Sequence, residues 1–246
     1  MTWSRVWGPL RRSWREFART AVDLALPPAC AACGLVGPGG LCRSCDQNLV
    51  RRPVPGCIRC GEAVLESGAS CGHDHDALRN LAHLVAPWRY AGTGGALVRR
   101  FKLDANAAAG RWLVRAMADA WRAQVGPAWA RACVVPVPLH RQRARERGFD
   151  QAAWMARELG ERLGWRSGIG ALRRTRSTLP QGDPRVTSRE GNVEGAFDLG
   201  DGRSFARRNV VLVDDVFTSG ATARQCAKVL RAAGALAVAV LTACRS

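Results

Sequence analysis

Lysine is almost missing from this 246-residue chain. Only Lys102 and Lys228 occur, so 35 of the 37 basic residues are arginines. Carboxylates are scarce as well: 20 of them leave a formal charge of +17. That balance excludes an acidic, self-repelling tail and predicts affinity for polyanions such as nucleic acid, phosphorylated metabolites or an acidic membrane surface. Arginine bias also follows from genomic base composition, so the charge alone assigns no function. A long apolar run is absent too. The uncharged stretch from Leu24 to Cys42 is interrupted by Pro27, Pro28, Pro38 and several glycines, which excludes a membrane-spanning helix there. Arginines break every early apolar segment, so no secretory signal is expected and the expected location is cytoplasmic.

What the chain does have is cysteine. Seven of its ten cysteines fall between Cys30 and Cys71, as "CAAC", "CRSC", "CIRC" and a single residue. A reducing compartment disfavours a disulfide framework. Cys-x-x-Cys pairs instead present two thiolates to one tetrahedral ion, which predicts two structural zinc sites. Cys30, Cys33, Cys42 and Cys45 can close one site, and Cys57, Cys60 and Cys71 begin the second. Its fourth ligand falls in "CGHDHD", where Asp74 occupies the place of a further cysteine and His75 or His73 supplies an imidazole. A cross-braced pairing fits the same spacing. Four protein ligands leave no open position, so the zinc is read as structural. Cys133, Cys226 and Cys244 lie in apolar surroundings and read as small core residues. Ahead of the cysteines, Leu10, Trp14, Phe17, Ala21 and Leu24 recur at helical spacing among arginines. This predicts an amphipathic helix in residues 1–26, packed on its own domain or laid on a membrane or partner surface.

From residue 84 the pattern changes. Apolar runs at 84–90, 132–138, 209–215 and 235–244 read as strands. Residues 95–103, 107–124, 149–164 and 220–234 read as helices, and 173–192 as a long loop. Alternating strands and helices predict an open, mostly parallel α/β sheet. The stretch "VVLVDDVFTSGATARQ" places Asp214 and Asp215 at the end of such a strand, where open α/β sheets bind ligands. Thr218, Ser219, Gly220, Ala221 and Thr222 then lead into a helix. Backbone N–H groups at a helix N-terminus attract anions, hydroxyls add donors, and glycine lets the backbone come close. Carboxylates beside such a loop suit a ligand with vicinal hydroxyls next to its phosphate, held directly or through a divalent ion. A sugar 5-phosphate meets that requirement. Response regulators also end strands in acidic pairs, but they lack the Thr-Ser-Gly-x-Thr loop.

"VVLVDDVFTSGAT" resembles the phosphoribosyl-pyrophosphate signature of type I phosphoribosyltransferases. The wider order of motifs resembles the ComF family of competence-related, phosphoribosyltransferase-like proteins. The matching segments are "PPACAAC…LCRSC…CIRCG", "RYAGTGGALVRRFKLD", "VVPVPLHRQRARERGFDQAA", "RRTRSTLPQ" and "SREGNVEGAF", over roughly residues 22 to 244. Asp74 and Asp150 depart from the family pattern. The resemblance implies a type I phosphoribosyltransferase-like fold in residues 79–246, preceded by a double zinc ribbon in 27–78. It implies that Asp214 and Asp215 hold ribose hydroxyls with Mg2+, and that residues 218–222 hold the 5-phosphate. Lys102, Arg141, Arg143, Arg147 and Gly148 would face pyrophosphate, with Arg189 and Asn192 closing from the long loop. Arginine forks match phosphate oxygens. Two functions are then expected: a phosphoribosyltransferase of unassigned acceptor linked to DNA uptake, or a non-catalytic adaptor that binds single-stranded DNA or a DNA-translocating helicase.

Overall fold

The structure is a computed structural model. It describes residues 28–246 except 38, 53–55, 58, 61, 63, 66–70, 72–74, 76–77, 79, 141–144, 146–147, 177–190, 192 and 201–203. The expected helix in residues 1–26 lies outside the described residues, as do His73, Asp74, Arg141, Arg143, Arg147, Arg189 and Asn192.

A short helix, α1 (Arg43–Gln47), sits in the cysteine segment. Strands β1 (Leu84–Val85) and β2 (Trp88–Arg89) follow where one strand over 84–90 was expected. Pro87 divides them, because proline offers no N–H to a ladder. Then come α2 (Gly92–Asp104), α3 (Ala107–Gln124), β3 (Cys133–Pro136) and α4 (Gln151–Leu163). Asn106 caps α3 through the Ala109 N–H, and Asp150 caps α4 through the Ala153 N–H, each at 2.9 Å. Asparagine and aspartate are equally good N-caps, so Asp150 can fill the family's asparagine position with no loss of the cap. Beyond α4 lie β4 (Arg166–Ser167), β5 (Leu172–Arg174), β6 (Phe197–Leu199), β7 (Asn209–Phe217), α5 (Ala221–Ala232) and β8 (Ala237–Arg245).

The main sheet has the order β1-β8-β7-β3-β4, with β2 also on β8, and every pairing in it is parallel. β7 is central. Its residues Val210 to Val213 are fully buried, the continuous apolar run expected of a strand covered on both faces. Alternate residues serve two cores. Val211, Val213, Ala239 and Leu241 pack with Leu113, Met117 and Met155 on the α2–α4 side. Val210, Leu212, Val238 and Val240 pack with Cys226, Leu230 and Phe197 on the α5 side. Gly110 lets α3 approach closely: a Cβ there would come within 2.5 Å of the Phe101 ring.

Two features were not legible as strands. β4 is two exposed residues. β5 and β6 form a separate antiparallel pair that brackets the long loop, so Arg173 and Arg174 belong to a strand and not to the loop. Strand β7 also runs two residues beyond the expected end, to Phe217, because β8 keeps pairing with it through Val216↔Cys244 and Phe217↔Arg245. The aspartates therefore sit inside a strand. No helix among the described residues is long and apolar enough to cross a membrane.

Candidate functional site

Cys30, Cys33, Cys42 and Cys45 gather their sulfurs into one cluster, and Cys57, Cys60, Cys71 and His75 form a second. Within each cluster all ligand atoms lie within 4.8 Å of one another. A tetrahedral zinc site with Zn–S bonds of about 2.3 Å has S–S edges of about 3.8 Å. Cys33 Sγ and Cys42 Sγ are 3.8 Å apart, and His75 Nε2 lies 3.7 Å from Cys57 Sγ and 3.2 Å from Cys71 Sγ. The donor sets therefore fit structural zinc. Each consecutive cysteine pair stays within its own cluster, so the pairing is not cross-braced. All ten cysteines are free of disulfides.

The backbone prepares one thiol in each cluster for metal, whereas burial and the neighbouring thiols push Cys45 up to about 12 and Cys60 up to about 11. Burial would raise Cys30, but backbone hydrogen bonds from Cys33, Cys42 and Ala32 bring it down to about 6. Cys57 also falls to about 6: burial opposes, and backbone hydrogen bonds from Cys60 and Arg59 prevail. A thiolate, not a thiol, is the metal ligand.

Hydrogen bonds tie the first cluster to α2, and hydrogen bonds and ion pairs tie the second to β2 and β8. Thr93 Oγ1 donates to the Cys45 carbonyl at 2.7 Å and Arg100 Nη1 to the Cys30 carbonyl at 3.2 Å. At the second cluster, Arg52 and Arg245 both donate to the Cys60 carbonyl. Glu62 meets Arg52, Arg89 and Arg245 at 3.4, 2.9 and 3.2 Å. Three thiolates and an imidazole around Zn2+ would carry net −1, which helps explain why three arginines face a single glutamate here. This arginine–glutamate group was not anticipated from sequence; its members are up to 193 positions apart, and no local spacing joins them.

The second site lies at the carboxyl ends of β7 and β8. Gly220 takes a left-handed conformation (φ 76°) as the N-cap of α5 and supplies no side-chain cap. Glycine adopts that φ without steric cost, and the first helical N–H groups have no intrahelical partner. Asp214, Thr218, Gly220 and Thr222 line one small cavity of about 30 Å³ with Val137 and Thr242. Ala221 is buried beneath the loop, and Ser219 Oγ accepts weakly from the Ala221 N–H at 3.4 Å. Thr242 was missed. Its register opposite Asp214, on the same face as Val240, is the signal that the alternation in "AVAVLTAC" carried.

The aspartates differ. Burial first, and then the Asp215 charge, push the Asp214 carboxyl well above the ordinary carboxylate range; the Asp215 backbone N–H and the Lys102 ammonium oppose this. Asp215 is buried, and its Oδ2 lies 3.0 Å from Lys102 Nζ. That contact is charge on charge and not an aligned hydrogen bond. Lys102, expected to face pyrophosphate with the loop after β3, is thus paired with Asp215 in the ligand-free structure. Gly148, from that loop, has a left-handed φ of 72° just before the α4 cap. A larger recess of about 450 Å³, between Arg52, Trp88 and Trp112, gathers none of the expected site residues.

A mostly parallel α/β sheet with a helix-N-terminal loop, joined to two four-ligand cysteine clusters, defines the class of protein. The double zinc ribbon domain family matches residues 21–73. Competence protein F of Haemophilus influenzae is 28% identical over 210 residues, 81% of this chain and 87% of that protein. DNA utilization protein YhgH of Escherichia coli K12 is 29% identical over 230 residues, 91% of this chain and 99% of that protein. The chain is thus a homologue of competence protein F and of the YhgH proteins, in line with the family its motifs resemble. Among solved structures, a hypoxanthine phosphoribosyltransferase of Staphylococcus aureus aligns with a TM-score of 0.36 and 16% identity, over 53% of this chain and 61% of that one.

Proposed function

We propose that the chain binds phosphoribosyl pyrophosphate, or a related ribose 5-phosphate, with Mg2+ at the carboxyl ends of β7 and β8, and that this binding serves DNA uptake. The observation that carries the reading is the meeting of Asp214 with Thr218, Gly220 and Thr222 around one cavity at the N-terminus of α5. In this reading the α5 N–H groups and the loop hydroxyls take the 5-phosphate, and the acidic step takes ribose hydroxyls. Carboxylate oxygen is the donor type that magnesium prefers. Gly148 and the arginines at 141, 143 and 147 would then meet pyrophosphate, with Arg189 and Asn192 closing over it. If an acceptor is used, pyrophosphate is displaced at the anomeric carbon. The protein's part is then to position the ligand and stabilise the leaving group's charge. The zinc ribbon, over 27–78, is the structural module that precedes this domain.

The test is a thermal melt with phosphoribosyl pyrophosphate and magnesium. A ligand at 100 times its Kd should stabilise by about 2.7 kcal/mol. Replacing both aspartates with asparagine should remove most of that shift; an equal shift in both proteins would sink the reading.

The names of the relatives favour a second reading, an adaptor that contacts single-stranded DNA or a DNA translocase through the zinc ribbon and the basic surface. Binding to an oligonucleotide should then weaken with salt, at a log–log slope of about −0.7 per phosphate contacted. Salt-independent binding would exclude that electrostatic contact.

A further inference from the structure

We propose that the two adjacent aspartates do different work: Asp214 alone meets the ligand, and Asp215 is a positioning residue that anchors Lys102 of α2 on the opposite face of the sheet. The proposal rests on the ribose-phosphate reading for its ligand and on the fold for everything else.

Successive side chains of a strand point to opposite faces, and β7 shows this up to the acidic step; beyond it the phase shifts, with Val216 on the α2–α4 core and Phe217 on the α5 core. Val210 and Leu212 pack with the α5 core, and Val211 and Val213 with the α2–α4 core. Asp214 continues the first series. It lines the cavity with Thr218, Gly220 and Thr222, and Thr242 is its partner on β8. Asp215 continues the second series. Its side chain is only 8% exposed and pairs with Lys102, in the last turn of α2. The charges of the two aspartates also reach different cysteines. Asp214 acts on Cys226 of α5, and Asp215 acts on Cys244, which packs in the other core.

A buried carboxylate without a counter-charge is costly, and removing one partner of such a pair strands the other. Lys102 thus has a structural reason to be one of only two lysines in the chain. A slim ammonium on a flexible stem reaches Asp215 as a point charge, where a guanidinium fork would need room for a planar group. By holding Asp215 away from the cavity, the pair leaves a single carboxylate for the ribose. It also partly offsets the charge that Asp214 feels across the strand.

Two measurements test this, one with ligand and one without. Calorimetric titration with phosphoribosyl pyrophosphate and magnesium compares D214N with K102M/D215N, which removes the pair as a neutral unit. The affinity lost in D214N should exceed that lost in K102M/D215N by at least tenfold. Equal losses, or a larger loss in the double variant, overturn the division of roles. Melting of the ligand-free protein then compares K102M, D215N and K102M/D215N. Each single change should lower the midpoint by at least about 4 °C, and the double change should fall well short of the sum. A parallel cycle of Lys102 with Asp214 should show much weaker coupling. Equal coupling in both cycles refutes the ion-pair assignment even if no ligand binds. A wild type without any ligand shift instead refutes the ribose-phosphate reading, and Asp214's role with it, while the melting cycles still decide what Asp215 does.

Discussion

The cysteine segment and the α/β sheet hold themselves together by different means. Among the described residues from 28 to 80, the buried apolar side chains are Cys30, Ala31, Ala32, Leu49, Cys57, Cys60 and Leu78. Only two of these are large aliphatics. In the sheet, β7 and β8 alone bury Val210, Val211, Leu212, Val213, Val238, Val240 and Leu241, with helices on both sides. One region has side chains enough for a core; the other has ligands where a core would be. The comparison teaches that the segment carries metal-ligand clusters in place of an apolar core, and that polar contacts such as Glu62 with its three arginines join it to the sheet.

The largest expected effect breaks the metal side. Structural zinc supplies about 10–16 kcal/mol of apparent binding energy in small domains. Cys42→Ser should therefore reduce bound zinc from two ions per chain to one and make residues 28–48 exchange amide hydrogens rapidly. The sheet should keep a cooperative melt. Two ions retained in the variant would refute the assignment of the first cluster.

A change in the other region should do the reverse. Leu241 is fully buried between β7, β1 and the α2–α4 core. Leu241→Ala should cost about 2–5 kcal/mol by leaving a cavity, seen as a lower denaturant midpoint, with zinc content unchanged at two per chain. Loss of metal in step with the loss of stability would show that the two regions fold as one unit.

The smallest effect sharpens the comparison within the sheet itself. Asp214 has a carboxyl raised above its ordinary value by burial and by Asp215. A raised folded-state pKa means that the folded protein holds the proton more tightly than the unfolded chain does. Its favourable contribution is complete below the ordinary aspartate value of 3.8 and is lost as pH rises through the folded value. Wild type should therefore lose stability relative to Asp214→Asn as pH is raised from about 4 toward neutrality. Melting both proteins across that range checks the sign; a constant difference would mean that Asp214 is not strained in the folded state.

Much of this was legible locally. Residues 107–124 read as a helix, and α3 has those bounds. "CAAC" and "CRSC" carry ligand spacing, and the loop after β7 carries the glycine that its left-handed turn needs. The strand over 84–90 failed at Pro87, a local breaker that the apolar pattern masked. β4 and the β5–β6 pair failed for a different reason: they are two or three residues long and become strands only because a partner is beside them.

The sequence by itself determined which atoms are available: seven cysteines and two histidines at ligand spacing, an acidic step, a hydroxyl-bearing loop, and apolar runs of the right period for a parallel sheet. Those are properties of neighbours in the chain, fixed by spacing and side-chain chemistry. Tertiary structure decided which of these atoms meet. It brought His75 to the second cluster and set Glu62 among Arg52, Arg89 and Arg245. It carried β7 past its apolar run by pairing it with β8, so that Asp214 and Asp215 remain in a strand, with Asp214 at the α5 cavity and Asp215 paired with Lys102. The physical reason is that strand length and facing are set by the partner's hydrogen bonds and by what covers each side, and neither is written in the residues of the strand alone.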